Sequence, residues 1–173
     1  MRRGVYPGSF NPPTIAHLAI AGAAVRHHRL DELVFTLSTV ALGKTGARGP
    51  TVDERARVLR ESVGHLSWAA VAVTDVQLIA DIADGFDLVV MGADKWAQVN
   101  DPTFYDESVA ARDHALARLP ELAIAPRPPV AVPAAMQLDV PAWAAGVSSS
   151  RARAGEGSLM TPEARRSGLW AED

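Results

Sequence analysis

Ser9, Thr14 and His17 lie close together in Gly4-Val5-Tyr6-Pro7-Gly8-Ser9-Phe10-Asn11-Pro12-Pro13-Thr14-Ile15-Ala16-His17-Leu18, near the start of the chain. The stretch reads as a short strand, a Gly/Pro-rich turn and the first turn of a helix. A helix start carries unpaired backbone N–H groups and partial positive charge, which suits phosphate. Thr14 and His17 are three apart, so on a helix they share a face. Ser9 and Thr14 can bond phosphate oxygens, and His17 can place a donor on a phosphoryl group as charge builds there. A capping Thr and a core His would account for the same two residues.

A second cluster comes late, in Gly146-Val147-Ser148-Ser149-Ser150-Arg151-Ala152-Arg153. Three hydroxyls at a helix start can cap it and can also bind anions. Arg153 lies one turn on, and a planar guanidinium donates two parallel bonds to phosphate. A helix cap with solvated arginines is the plainer alternative. Lys44 is a third candidate: a lysine in a glycine-bearing loop can fold over a nucleotide and neutralise its phosphates, or can be a surface lysine.

These residues can meet only if the elements carrying them end at one edge. Arg3–Tyr6 reads as a first strand. Pro13 or Thr14 opens a helix to about His28, with Ile15, Leu18, Ala19, Gly22 and Val25 on one face. Glu32–Leu37 reads as strand two. Thr51 and Glu54 match a capping box and start a second helix. Ala69–Val73 is strand three, and Thr74 or Asp75 is expected to cap a short helix to about Ala83. Leu88–Met91, wholly apolar, reads as an inner strand four, with Gly92-Ala93-Asp94-Lys95-Trp96 directly after it. Tyr105–Leu116 is expected as a helix and Leu122–Ala125 as strand five. A short strand is expected near Met136–Val140. Val147–Ala154 starts a late helix. Thr161-Pro162 reads as an N-cap with Pro at the first helical position. Strands alternating with helices predict an α/β fold: a Rossmann-like, doubly wound parallel sheet of about five strands in a single domain spanning 1–173. Ligands in such sheets sit beyond the carboxyl ends of the strands, where Gly8, Ser9, Gly92 and Asp94 fall.

Bulk composition narrows the function. The chain has 173 residues, a net charge of −3 and no cysteine. Thiolate metal sites, cysteine nucleophiles and disulfides are excluded. No basic excess marks a nucleic-acid or membrane-surface binder. No apolar run approaches the roughly 18 residues of a membrane span, and no signal peptide is apparent, so a cytoplasmic setting is expected. His27 and His28 close the first helix, where positive charge is favourable. His65 and His114 have no acidic partners at metal spacing. Asp81, Asp84 and Asp87 read as a solvated face.

Together and in this order, the three motifs resemble those of the small nucleotidyltransferases with the HxGH signature. That group includes the nicotinate-mononucleotide and phosphopantetheine adenylyltransferases and the short cytidylyltransferases. The likeness covers nearly the whole chain. Pro7-Gly8-Ser9-Phe10-Asn11-Pro12 matches the opening loop, Ser148-Ser149-Ser150-Arg151-Ala152-Arg153 the late serine motif, and Met160-Thr161-Pro162-Glu163 the start of the closing helix. The family often has His at the position of Thr14, where Thr is familiar in the phosphopantetheine branch, and often has Gly at the position of Ala16. Met91-Gly92-Ala93-Asp94 resembles the nicotinate-mononucleotide branch instead.

The resemblance implies transfer of AMP from ATP, with Mg2+ on the triphosphate, to a small phosphorylated acceptor. Nicotinate mononucleotide is placed first and phosphopantetheine second. His17 would hold an α-phosphate oxygen, and Thr14 and Ser9 would orient phosphates. Lys44 would bridge the transferred and leaving groups. Ser148, Ser149, Ser150 and Arg153 would bind the β- and γ-phosphates, with the helices of 148–173 completing the nucleotide site. Gly8, Phe10, Gly92 and Asp94 would line that site. Trp96, Phe104 and Tyr105 could stack on a pyridine ring or belong to the core. A non-catalytic nucleotide-binding relative is the alternative from another class, and self-association is left open.

Overall fold

The computed structural model describes residues 1–40 and 49–171; the expectation for Lys44 falls outside the described residues. Five strands, β1 (Arg3–Pro7), β2 (Glu32–Ser38), β3 (Ala69–Thr74), β4 (Leu88–Gly92) and β5 (Glu121–Ala125), form one sheet in the order β3-β2-β1-β4-β5. Every pairing is parallel, with Val5 against Val34 on one side and against Val89 on the other. The chain winds outward from β1 to β3, then crosses back and winds the other way. The direction therefore reverses between β1 and β4, the place where such sheets open a crevice.

Side chains alternate across each strand, so one strand feeds two cores. Tyr6, Leu33, Phe35, Leu88 and Val90 face α1 (Ile15–His28) and α2 (Val52–Val63). Val5, Val89, Met91 and Ile124 face the opposite layer of α3 (Ile79–Ile82), α4 (Ala93–Asn100) and α5 (Val109–Ala117). The inner strands are apolar on both sides because both sides are covered. The last helices, α6 (Ser149–Arg153) and α7 (Pro162–Ser167), belong with Val58 of α2 and the buried Trp170 to a separate small core.

Local signals fix most helix starts. Thr51 and Glu54 form the expected capping box on α2, and Thr161 caps α7 ahead of Pro162. Three expectations need correction. Neither Thr74 nor Asp75 caps α3, because Val76 is tied down on both sides: its N–H donates to Thr74 Oγ1 (3.2 Å) and its carbonyl accepts from Ser38 Oγ (2.7 Å). The chain stays extended there and α3 begins only after Leu78. The helix expected over Tyr105–Leu116 is split: Pro102–Tyr105 makes a tight helical turn, Asp106 and Glu107 adopt left-handed φ values of 53° and 60°, and Ser108 caps a fresh start. The strand expected near Met136–Val140 is a turn plus one bridge, Ile124 to Gln137; prolines at 128, 129, 133 and 141 cannot donate to a ladder.

Candidate functional site

A cleft of about 640 Å³ opens over the carboxyl ends of β1 and β4, within the usual range for small-molecule sites. Gly8, Ser9, Phe10, Thr14, His17, Gly92, Asp94, all three serines and Arg153 line it, so every residue among the described ones that the sequence offered for the phosphates or the nucleotide reaches one cavity.

The opening loop is held from below. A side chain at Gly8 would place Cβ 2.8 Å from the Phe10 ring, so only glycine lets the backbone lie there. Phe10 itself has φ 42° and is buried, its ring packed edge-on against Tyr6, His17 and Phe35. It forms the floor of the cleft beneath the loop. Thr14 then caps α1, and His17 closes a capping box: the Thr14 N–H donates to His17 Nδ1 at 2.9 Å. Thr14 is thus a cap and His17 is packed, yet both line the cleft. The two meanings of these residues are not exclusive.

That hydrogen bond decides the state of the imidazole. A ring nitrogen that accepts from an amide carries no proton, so the neutral ring holds its proton on Nε2. Burial drives the His17 pKa from the usual 6.5 down to about 4, and the Arg127 charge pushes the same way. At neutral pH His17 is therefore an uncharged donor. Burial raises the Tyr6 phenol beside it, which stays protonated.

The late segment is stitched onto the opening loop. Ser149 Oγ donates to the Pro12 carbonyl (2.8 Å), the Thr161 N–H to the Pro13 carbonyl (3.1 Å), and Trp170 Nε1 to Asn11 Oδ1 (2.6 Å). Arg153 reaches the Asn11 carbonyl and Ser150 Oγ. Ser148 caps α6 through the Arg151 N–H. Arg151 turns away from the cleft to Glu156, which leaves Arg153 as the arginine of this motif that lines it.

Beyond β4, Gly92 is the residue before α4, and Asp94 pairs with Arg127 at 2.7 Å. Arg127 also donates to the Val147 carbonyl at 2.5 Å, so from its place just after β5 it ties the first turn of α4 to the residue before the serines. The other end of the cleft is lined by Gln77, Ile79, Ile82, Lys95, Gln98 and Phe104. Trp96 is instead packed on the α3–α5 core, and the Tyr105 hydroxyl donates to the Val99 carbonyl. Of the three aromatics considered for stacking, Phe104 lines the cleft. Sequence reading missed Arg55 and Arg127 as cleft residues. Nothing local marks them, since each is set in place by where its element ends.

Among the described residues no group of three or more His, Asp or Glu side chains could hold a metal ion. The carboxylate that lines the cleft, Asp94, is engaged by Arg127. These residues do not make a protein-held Mg2+ cage. Asp81 pairs with Arg118, and His28 lies 3.0 Å from Glu121, both away from the cleft. No helix among the described residues is long and apolar enough to cross a membrane.

Known proteins show the same likeness. The cytidylyltransferase-like family model matches residues 5–155. A phosphopantetheine adenylyltransferase of Corynebacterium diphtheriae is 34% identical over 98 residues, covering 53% of this chain and 56% of that protein. One from Caulobacter sp. is 42% identical over 72 residues, 40% of each chain. A protein of Methylibium petroleiphilum described as a probable nicotinate-nucleotide adenylyltransferase is 32% identical over 123 residues, covering 61% of this chain and 54% of that one. The chain thus spans about half or less of the length of these relatives.

Proposed function

The chain belongs to the cytidylyltransferase-like family, and from that premise we propose that it transfers AMP from ATP to a phosphate on a small acceptor. An acceptor phosphate oxygen attacks the α-phosphorus in line. The bond from that phosphorus to the bridging oxygen breaks, and pyrophosphate leaves with the electron pair. The protein's task is positioning and stabilising charge.

The observation that carries this reading is the fixed, neutral His17, with its proton on Nε2 in the same cleft as three serines and Arg153. A neutral donor preset by a backbone hydrogen bond stabilises charge that builds on an α-phosphate oxygen without reorganising. The unpaired N–H groups of the first turn of α1 and the hydroxyls of Ser9 and Thr14 orient the phosphates. Ser148, Ser149, Ser150 and Arg153 hold the β- and γ-phosphates, so the C-terminal helices complete the nucleotide site. Lys44 bridges the transferred and leaving groups. Gly8 and Gly92 let the backbone approach the nucleotide, and Asp94 contacts nucleotide or acceptor at the strand edge. No group among the described residues would hold Mg2+ on the protein, so a divalent ion would come with the triphosphate and would offset part of its charge.

Nicotinate mononucleotide is the acceptor placed first, on the resemblance of Met91-Gly92-Ala93-Asp94 to that branch and on Phe104, an aromatic side chain that lines the cleft. Phosphopantetheine is the second reading, favoured by Gln77 and Gln98 beside Ile79 and Ile82, a lining that suits an amide chain. A cytoplasmic setting, where ATP and either acceptor are found, belongs to this reading. Pyrophosphate release with ATP, offering nicotinate mononucleotide, nicotinamide mononucleotide and phosphopantetheine separately, tests it. Release with one of them is expected. ATP binding without release on any would point to a non-catalytic nucleotide-binding relative.

A further inference from the structure

Arg55 stands in the first turn of α2 and lines the cleft. One of its terminal nitrogens donates to the Ser9 carbonyl, on the loop that carries the phosphate candidates. Its Nε is shut off from solvent and has no hydrogen-bond partner among the described residues. A buried N–H without a partner costs free energy, and a half-buried guanidinium without an anion costs more. The nearby acids are taken: Glu54 accepts from the Thr51 N–H (2.8 Å) and hydroxyl (2.9 Å), and Glu61 pairs with Arg57. Among the described residues no carboxylate pairs with Arg55. Burial also lowers its pKa, as expected for a cation whose counter-charge is missing.

Its place relative to Arg153 says which anion fits. Arg55 grips the loop at Ser9 and Arg153 grips it at Asn11, so two guanidiniums flank one short loop and both line the cleft. His17 serves a single phosphoryl group. A pair of cations suits the more highly charged terminal phosphates.

Resting on the adenylyl-transfer reading, we propose that Arg55 is a binding residue for the leaving pyrophosphate, gripping the β- and γ-phosphates of ATP opposite Arg153. Calorimetric titration of the full chain with ATP, AMP and inorganic pyrophosphate, each with Mg2+, tests this in the wild type, Arg55→Met and Arg55→Lys. A lost charge-assisted contact predicts ATP and pyrophosphate binding weakened about 10- to 100-fold in Arg55→Met. AMP, which lacks the terminal phosphates, should change less than about twofold on the same reasoning. Arg55→Lys keeps the charge without the fork and should fall between; it carries the test if Arg55→Met fails to fold. Equal losses for ATP and AMP would overturn the proposal, leaving Arg55 as a prop for the Ser9 loop. Unchanged ATP and pyrophosphate binding would overturn it too. ATP binding in the wild type without turnover would sink the adenylyl-transfer reading instead, and the ATP-to-AMP contrast would still report on Arg55.

Discussion

The two ends of the cleft are built differently. At the end proposed to hold the phosphates, segments far apart in sequence are tied to one another: the Pro12 carbonyl accepts from Ser149 Oγ, the Pro13 carbonyl from the Thr161 N–H, and Thr14 is bridged to Met160. At the acceptor end, the lining is a set of single side chains from α3, α4 and the turn before α5, among them Ile79, Gln98 and Phe104. The Thr161–Pro13 and Thr14–Met160 ties run between backbone atoms and survive substitution of side chains, whereas a lining of side chains is rewritten by each change. On the proposed adenylyl-transfer reading, the first arrangement would fix the reaction centre and the second would leave the acceptor to be chosen.

Substitutions can break this division of labour, and the largest effect is expected at His17. Removing one preorganised donor costs about 10²–10³ in turnover, so His17→Ala should lose that much kcat with little change in KM for ATP. Near-normal turnover would take His17 out of the reaction centre. Arg153→Ala should raise KM for ATP about tenfold, the cost of one charge-assisted hydrogen bond, and leave KM for the acceptor alone. An equal rise for both would mean the ends are not separate. Phe104→Ala should raise KM for the acceptor about three- to tenfold, the scale of one lost aromatic contact, with ATP unaffected. A shift in ATP alone would reverse the assignment of the two ends.

A smaller effect sharpens the account of His17 itself. Its pKa is near 4 in the folded protein and 6.5 when unfolded. Between those values the unfolded chain binds a proton that the folded chain does not, so stability falls as pH drops through that window. His28, lowered by burial in the same direction, adds to the slope. The part owed to His17 is therefore the difference between wild type and His17→Gln in denaturant titrations from pH 7 to 4. Identical slopes would mean that the imidazole is not held neutral.

The same contrast explains what could be read from the sequence. The residues proposed for the phosphates were legible because they fall in two runs, 9–17 and 148–153, each compact along the chain, and because the caps are local: Thr14 with His17, Thr51 with Glu54, Thr161 with Pro162. The strands were legible because inner strands covered on both faces are apolar runs. Arg55 and Arg127 were not legible, because a guanidinium becomes a cleft residue only when α2 and β5 have been set in place. Trp96 and Phe104 looked alike as sequence, and only the packing of α4 and of the turn Pro102–Tyr105 sends the first into the core and the second to the cleft. The break at Asp106 and Glu107 escaped because two successive non-glycine residues adopt left-handed backbone there, and of the two only Asp106 is of a type that favours it.

The central claim is that the α-phosphate of ATP moves to the acceptor, and following that phosphorus tests it most directly. The full chain would be incubated with ATP labelled at the α-phosphate, Mg2+ and each acceptor, and the products separated. The account predicts label in an adenylylated acceptor, matched mole for mole by unlabelled pyrophosphate, and its near-complete loss in His17→Ala. Label appearing only as free AMP or ADP, or remaining in ATP with every acceptor while ATP binds, would contradict it.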